Sequence, residues 1–378
     1  MKISVPKERT EGEKRVASVP EVVSRLVKLG AQVVVESEAG ASAYHRDDAY
    51  RDAGATITED AGAVYADADI VLRVQPPALE EAQKMRAGSI LIGFLNPPKE
   101  TELIKCLRDR RITALAMELV PRIARAQAMD ALSSQASIAG YEAVLIAAKR
   151  LGKMIPMLTT PTGTIRPAKF LIIGAGVAGL QAIATARRLG AMVEAYDVRT
   201  ATKEQVQSLG AKFLQTDIKA EAEGGYAREL TEEEKQKQQD MLAKHIAQAD
   251  VVITTAAIPG QASPKIIFKH MVQAMRPGSV IVDLAAEGGG NCDLTQPGKV
   301  VRVRGNDVDI EGPLNVPSSV PVHASETYAK NLYNMVALMI SDGRLAPNWE
   351  DEVLRDSTLT RDGEIKHGLT RQLVEGGA

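Results

Sequence analysis

Residues 170–199, FLIIGAGVAGLQAIATARRLGAMVEAYDVR, place three glycines at GxGxxG spacing ahead of an acid, an arrangement suited to holding a dinucleotide. Gly174 permits a tight turn out of the apolar run Phe170–Ile173. Gly176 lets a pyrophosphate approach the backbone, and Gly179 lets the next helix pack closely on the strand. The N–H groups at the start of that helix, around Val177 and Ala178, then face the phosphates. Asp197 follows a second predicted strand, Met192–Tyr196. It can accept hydrogen bonds from a ribose 2′-OH and would repel a 2′-phosphate, which favours NAD over NADP, whereas Arg199 argues the other way because arginine can accommodate that phosphate. GxGxxG arises easily among 30 glycines, so a glycine-tightened crossover without ligand is the alternative. The complete strand, loop, helix, strand and acid weigh against it.

A nicotinamide enzyme acting on a carbonyl, amine or imine needs an acid or base beside the reacting carbon. His45 and His367 fall in polar peripheral segments, His245 and His270 in predicted helices, and His323 in a proline-rich return. None stands beside the loops TAAIPG or AAEGGGNC. Cys106 and Cys292 have no CxxC partner, so neither a metal site nor a disulfide framework is expected. What does stand out is a polar set, Arg122, Arg125, Gln127, Asp130 and Ser133. Such groups could fix a nicotinamide carboxamide and ribose without moving protons. The same spacing also fits a helix N-terminus capped by Asp130 or Ser133.

These groups need a scaffold, and 378 residues suffice for two domains. Pro20–Leu29 reads as a helix and Gln32–Glu36 as a strand. Helix Asp47–Ala53, strands Asp69–Val74 and Ser89–Leu95, helix Glu100–Arg110 and strand Ile112–Met117 follow. Pro121–Leu145 reads as one long helix broken near its serines. Beyond the glycine unit, Val251–Thr254, Ser279–Leu284 and Val300–Val303 read as strands, each leading into a loop, TAAIPG, AAEGGGNC and RGNDVDI, and in a doubly wound sheet such loops at the carboxyl ends of strands surround the ligand. The apolar helix 327–342 returns to the first domain, capped by a polar tail. The fold class is α/β, with two Rossmann-like doubly wound parallel-sheet domains separated by a cleft. The first spans 1–131 and is completed by 320–378; the second, 132–319, carries the glycine unit. The cleft is the expected working site.

With 45% hydrophobic residues, 25% charged and a net charge of −2, the chain lacks the basic excess that nucleic-acid binding would need. Its start, MKISVPKERTEGEKR, lacks the apolar core of a signal peptide, which points to the cytoplasm. The stretch 170–186 is a poor membrane span, interrupted by glycines and Gln181. Lys219–Asp240 interrupts the strands with charge, a Gly-Gly pair and Tyr226. From Thr231 a helix is predicted, with Thr231 and Glu234 forming a capping box. The stretch before it is either a solvated insertion or a functional lid.

Five blocks carry a family resemblance: PKERTEGEKRVASVPEVV, AMELVPRIARAQAMDALSSQASIAGYEAV, GAGVAGLQAIATARRLGAMVEAYDVRTATKEQVQSLGAKF, VIVDLAAEGGGNC and LTRDGEIKH. Together they resemble the NAD(H)-binding component of the proton-translocating, Si/Re-specific NAD(P)+ transhydrogenases, over nearly the whole chain. That component is itself similar to alanine dehydrogenase. Those dehydrogenases carry a lysine, a histidine and an aspartate where this chain has Arg73, Asn96 and Glu287, while Arg15 matches their substrate-carboxylate arginine. Asparagine cannot exchange protons as histidine does near neutral pH.

The resemblance implies direct hydride transfer between NADH and an NADP+ held by a partner subunit, with Gln127 orienting the ring. It places Arg122, Ile123, Ala124, Arg125, Gln127, Asp130 and Ser133 at the nicotinamide end. Gly174, Gly176, Val177, Ala178, Gly179, Asp197, Val198 and Arg199 take the remainder, with Gly225, Gln238 and Ala257 lining the site. Tyr226 would sit on a mobile loop that closes over nucleotide. Implied partners are a second copy in a homodimer, an NADP(H)-binding subunit and a membrane proton-channel subunit that holds the chain at the inner face of the membrane. An alanine dehydrogenase-like amino-acid dehydrogenase and a non-catalytic NAD sensor are the alternatives.

Overall fold

The computed structural model describes residues 1–215, 231–257 and 262–376. The chain divides into two compact units, Met1–Gln135 with Ser318–Ala378, and Ala136–Pro317.

The first unit opens with strands β1 (Lys2–Val5), β2 (Gln32–Glu36), β3 (Thr56–Thr58), β4 (Ile70–Leu72), β5 (Ile90–Gly93) and β6 (Thr113–Ala116), interleaved with helices. Every residue of β4, β5 and β6 is buried, as befits parallel strands covered on both faces. Helix Pro20–Lys28 starts on proline, whose missing N–H would be unbonded there anyway, and buries Val22, Val23 and Leu26. The helix expected over 121–145 with a break near its serines is a 3-10 segment, Ala124–Met129, followed by the α-helix Ala131–Arg150. The break falls at Asp130, ahead of the serines. The Asp130 carboxylate accepts the Ser133 N–H at 2.9 Å and so starts a new helix.

The second unit contains a hairpin, β7 (Leu158–Thr160) and β8 (Gly163–Ile165), and a seven-stranded sheet. Its strands are β9 (Lys169–Ile173), β10 (Met192–Tyr196), β11 (Lys212–Phe213), β12 (Val251–Thr254), β13 (Val280–Asp283), β14 (Val300–Val303) and β15 (Val308–Glu311), in the order β11-β10-β9-β12-β13-β15-β14. β9 pairs in parallel with both β10 and β12, so the order reverses there. One expectation is corrected here. RGNDVDI is not a ligand-side loop: β14 runs antiparallel to β15, and β15 pairs in parallel with β13. Val308 and Ile310 alternate inward with Asp309 and Glu311, a strand pattern, while Gly305 and Asp307 turn the hairpin at positive φ.

Returning to the first unit, helix Pro321–Ala337 precedes a small hairpin, β16 (Ile340–Ser341) and β17 (Arg344–Leu345), then β18 (Thr358–Arg361) and β19 (Glu364–Ile365). The polar tail, expected to act as a cap, thus extends the sheet to β19-β18-β6-β5-β4-β1-β2-β3, with β18 antiparallel on β6. Tyr328 of the returning helix is fully buried and donates its hydroxyl to the Arg73 carbonyl at 2.8 Å. Tyr328→Phe would leave that buried carbonyl without this donor. The expected cost is about 1–3 kcal/mol, seen as an earlier urea midpoint at unchanged slope. An unmoved midpoint would show that the carbonyl is satisfied otherwise.

Candidate functional site

At the carboxyl end of β9 the chain turns at Gly174, whose φ of 96° lies in the left-handed region. A Cβ on Gly179 would stand 1.8 Å from the Gly174 carbonyl oxygen, so the helix Val177–Arg188 meets the turn with no room for a side chain. Gly176 differs. Its φ of −76° suits any residue, and a Cβ there would meet nothing within 4 Å. Neither conformation nor packing requires this glycine, and the open space lies at the N-terminus of a helix that no side chain caps. Such an end offers backbone N–H groups to an anion.

The acid at the end of β10 is tied to the same turn. Asp197 is buried and accepts the Ala175 N–H at 2.7 Å and the Arg199 N–H at 2.8 Å. It also holds the Arg199 guanidinium through Nε at 2.9 Å and Nη2 at 2.8 Å. Arg199, read from sequence as the dissenting residue, is therefore the partner of Asp197. Val198 packs partly into the core, and the Gln238 amide reaches the Tyr196 hydroxyl at 3.1 Å. Glu234 and Thr231 form the expected capping box of helix Glu232–Ile246. Gly225 and Tyr226 lie outside the described residues.

Three residues that the sequence reading did not single out hold the neighbouring loops. Thr255 donates its hydroxyl to the Gly174 carbonyl at 3.1 Å. Asn291 is fully buried, accepts the Ala256 N–H at 3.1 Å and donates to the carbonyls of Ala256 at 2.8 Å and Pro264 at 2.9 Å. That clamp sets the backbone beside exposed Ala257. Asp283, also buried, accepts from Thr254, Ala285, Cys292 and Thr295, gathering both ends of the AAEGGGNC loop. Uninterrupted donors around a buried carboxylate are a three-dimensional property, and no local spacing announces them.

In the first unit, Ala126 and Met129 anchor the 3-10 segment in the core, and its Ala128 carbonyl accepts from Asn331 and Asn334 at 2.9 and 3.0 Å. Gln127 is exposed, and its amide has no partner among the described residues. Ile123 is half-buried, while Arg122 and Ala124 are exposed. Arg125 makes a two-pronged pair with Asp351 at 2.8 and 3.0 Å. The Ser133 hydroxyl donates to Asp130 at 2.6 Å, so both belong to the cap that the spacing had allowed.

A second polar cluster follows the carboxyl ends of β1 and β4. Arg73 is fully buried against Glu8 at 3.1 Å, Glu81 at 3.2 Å and the Tyr65 hydroxyl. Arg15 grips Glu13 through Nε at 2.8 Å and Nη2 at 2.7 Å, and its Nη1 donates to Gln135 at 2.9 Å. Asn96 is exposed at a φ of 45°, its N–H given to Glu118. Glu287 accepts the Asn315 N–H at 2.7 Å in the second unit. Burial raises the pKa of Glu8 and Glu118. His245 pairs with Glu194 at 2.7 Å, His367 meets Thr370 at 2.7 Å and His270 stacks on Phe268. None of these partners belongs to the glycine turn or its neighbouring loops.

Family models match nearly the whole chain: alanine dehydrogenase/PNT, N-terminal domain, over residues 4–139, and alanine dehydrogenase/PNT, C-terminal domain, over 143–368. An NAD(P) transhydrogenase subunit alpha polypeptide of Rhodospirillum rubrum is 48% identical over 384 residues, covering 98% of this chain and 100% of that protein. The alanine dehydrogenase of Bacillus subtilis is 34% identical over 295 residues, covering 77% and 72%. A solved transhydrogenase from Sinorhizobium meliloti superposes with a TM-score of 0.87 at 44% identity, covering 97% of this chain and 100% of that one.

The Glu13–Arg15 pair has a pH signature. Burial works to raise the Glu13 pKa, but the Arg15 fork and the Gln75 amide outweigh it and hold the carboxyl at about 2, below the ordinary 4.5. A depressed acid contributes stability that is fully present above about pH 4.5 and is lost as pH falls towards 2. Glu13→Gln is expected to lower stability at neutral pH and to make the loss across that window shallower, measured by urea unfolding at stepped pH. An acid limb of unchanged steepness would show that Glu13 is not depressed.

Proposed function

The chain belongs to the alanine dehydrogenase/PNT family, and from that premise we propose that it is the NAD(H)-binding subunit of a proton-translocating NAD(P)+ transhydrogenase. The coarser role, that of an NAD(P) transhydrogenase alpha subunit with a Rossmann-like fold, follows from its relatives. The observation that carries nucleotide binding is Gly176, a glycine that the fold does not need, standing before open space at an uncapped helix N-terminus.

In this reading the backbone from Gly174 through Gly176, Val177, Ala178 and Gly179 holds the pyrophosphate. Asp197, Val198 and Arg199 meet the adenosine ribose, and Gly225, Tyr226, Gln238 and Ala257 line that end. The nicotinamide end is held by Arg122, Ile123, Ala124, Arg125, Gln127, Asp130 and Ser133. NADH, when bound, supplies a hydride. The chain's own contribution is positioning: an unpartnered Gln127 amide on a segment anchored by Ala126 and Met129 can orient a carboxamide but exchanges no proton. Direct transfer between two nicotinamide rings needs no proton donor at the reacting carbon. That agrees with Asn96, and with Arg73 enclosed by carboxylates, in the places where the dehydrogenases carry histidine and lysine.

NADP(H) would be held by a partner subunit, and a membrane subunit would carry the protons and keep this chain at the inner membrane face. Among the described residues no helix is long and apolar enough to cross a membrane. A homodimer is supported by the β7–β8 hairpin, where Leu158 and Ile165, with Met157 just before β7, are exposed on a two-stranded ribbon too small to bury them itself.

Three measurements check this reading. The purified chain should bind NADH, leave alanine unoxidised and transfer hydride only once the NADP(H)-binding subunit is added; alanine oxidation would sink the proposal. Gly176→Ala is expected to weaken NADH binding roughly tenfold or more while leaving the unfolding midpoint unmoved, since its Cβ meets nothing in the protein. Gln127→Asn should slow hydride transfer by roughly tenfold while changing the NADH Kd less than about twofold. Equal effects on rate and binding would refute a positioning role.

A further inference from the structure

We infer that the first unit carries a second small-molecule site, for a planar aromatic carboxylate, at the amino-terminal edge of its sheet. An open depression of about 530 Å³ lies there, a volume within the range of small-ligand pockets, roughly 300–1,000 Å³. Gly88 and Ile90 enter it at the start of β5, Arg111 just before β6, and Arg361 from the far end of antiparallel β18. Pro347 and Trp349, from the segment after β17, complete the wall. The Glu8, Glu13, Arg15 and Arg73 cluster follows the opposite ends of β1 and β4, so the cavity is separate from the groups already described.

Charge and shape select the ligand. The Arg361 guanidinium lies over the Trp349 ring, 5.1 Å from its centroid, and its Nε donates to Asp362 at 3.2 Å. Asp362 also lines the cavity and offsets that cation. Arg111 is exposed, and its guanidinium has no partner among the described residues. One uncompensated cation with a planar fork matches a single carboxylate. The Trp349 ring under the Arg361 guanidinium, with Pro347 beside it, matches a flat apolar body rather than a polyol or a bare anion.

Trp349 is the one tryptophan of the chain, so its emission reads the cavity directly. Benzoate added to the full-length protein is expected to change that emission saturably, while uncharged benzamide and non-planar cyclohexanecarboxylate act at least roughly tenfold more weakly. Arg111→Asn should weaken benzoate roughly tenfold with NADH binding unchanged. Asparagine is chosen because the φ of 56° at this position tolerates it. The comparison of benzoate with benzamide on the wild-type protein stands even if that variant folds poorly. Linear quenching without saturation, an equal response to benzamide, benzoate affinity retained in Arg111→Asn, or displacement of benzoate by NADH would each overturn the proposal.

Discussion

The second unit is organised around one close contact, the Gly174 carbonyl against the backbone of Gly179, where a Cβ would stand at 1.8 Å. Because nothing can intervene, helix Val177–Arg188 starts at the mouth of the turn, and its first N–H groups point beyond the carboxyl edge of the sheet. The Ala175 N–H is then placed to be taken by Asp197, which links β9 to the end of β10. Thr255 adds the third side by holding the Gly174 carbonyl from the end of β12. Three parallel strands are thus registered at their ends by a single glycine turn. Gly176 alone of the three glycines is left over from this packing, which is why the proposed nucleotide contact rests on it while Gly174 and Gly179 serve the fold.

Most of that arrangement was legible in the sequence because each part is local. FLII, VVIT and VIVD are short apolar runs, buried throughout, and the structure puts strands on them with shifts of a residue or so. What was missed depends on pairing partners far away in the chain. β15 is two apolar residues alternating with two acids, a pattern with weight only once β13 is beside it. β18 and β19 lie in a polar tail, yet Thr358, Leu359 and Thr360 are buried because β6 would otherwise be an edge. The 3-10 segment escaped because a 3.6-residue apolar period looks the same whether or not a cap restarts the helix at Asp130.

The candidate site was legible in a similar proportion. The glycines, Asp197 and the 122–133 segment announce themselves by type and spacing, and the structure gives each a definite setting. Asn291 and Asp283 do not, since their roles lie in the donors and acceptors that converge on them from loops distant in sequence. An isolated asparagine or aspartate carries no signal of burial. The ends of β12 and β13 supply that information only after they have paired.

Two of the acid–arginine pairs in this chain, Glu13–Arg15 and Asp197–Arg199, show how similar chemistry serves different ends. Glu13 and Arg15 are both buried, and Gln75 and Gln135 take up further bonds. Opening that pair would strand a charge away from water, at a cost of about 3–5 kcal/mol, so it acts as fixed structure. Asp197 and Arg199 have comparable distances, but the Arg199 side chain is 25% exposed and can exchange Asp197 for water. A pair with one partner partly exposed is screened by water more than a wholly buried one. The Ala175 and Arg199 N–H groups would stay on the carboxylate after the guanidinium left, so Asp197 would not be abandoned. In the proposed binding mode a ribose hydroxyl would compete for Asp197 with this partly exposed guanidinium. The acid is held in place by backbone while its outward bonds remain exchangeable, and that difference in desolvation makes the second pair suitable for recognition and the first for scaffold.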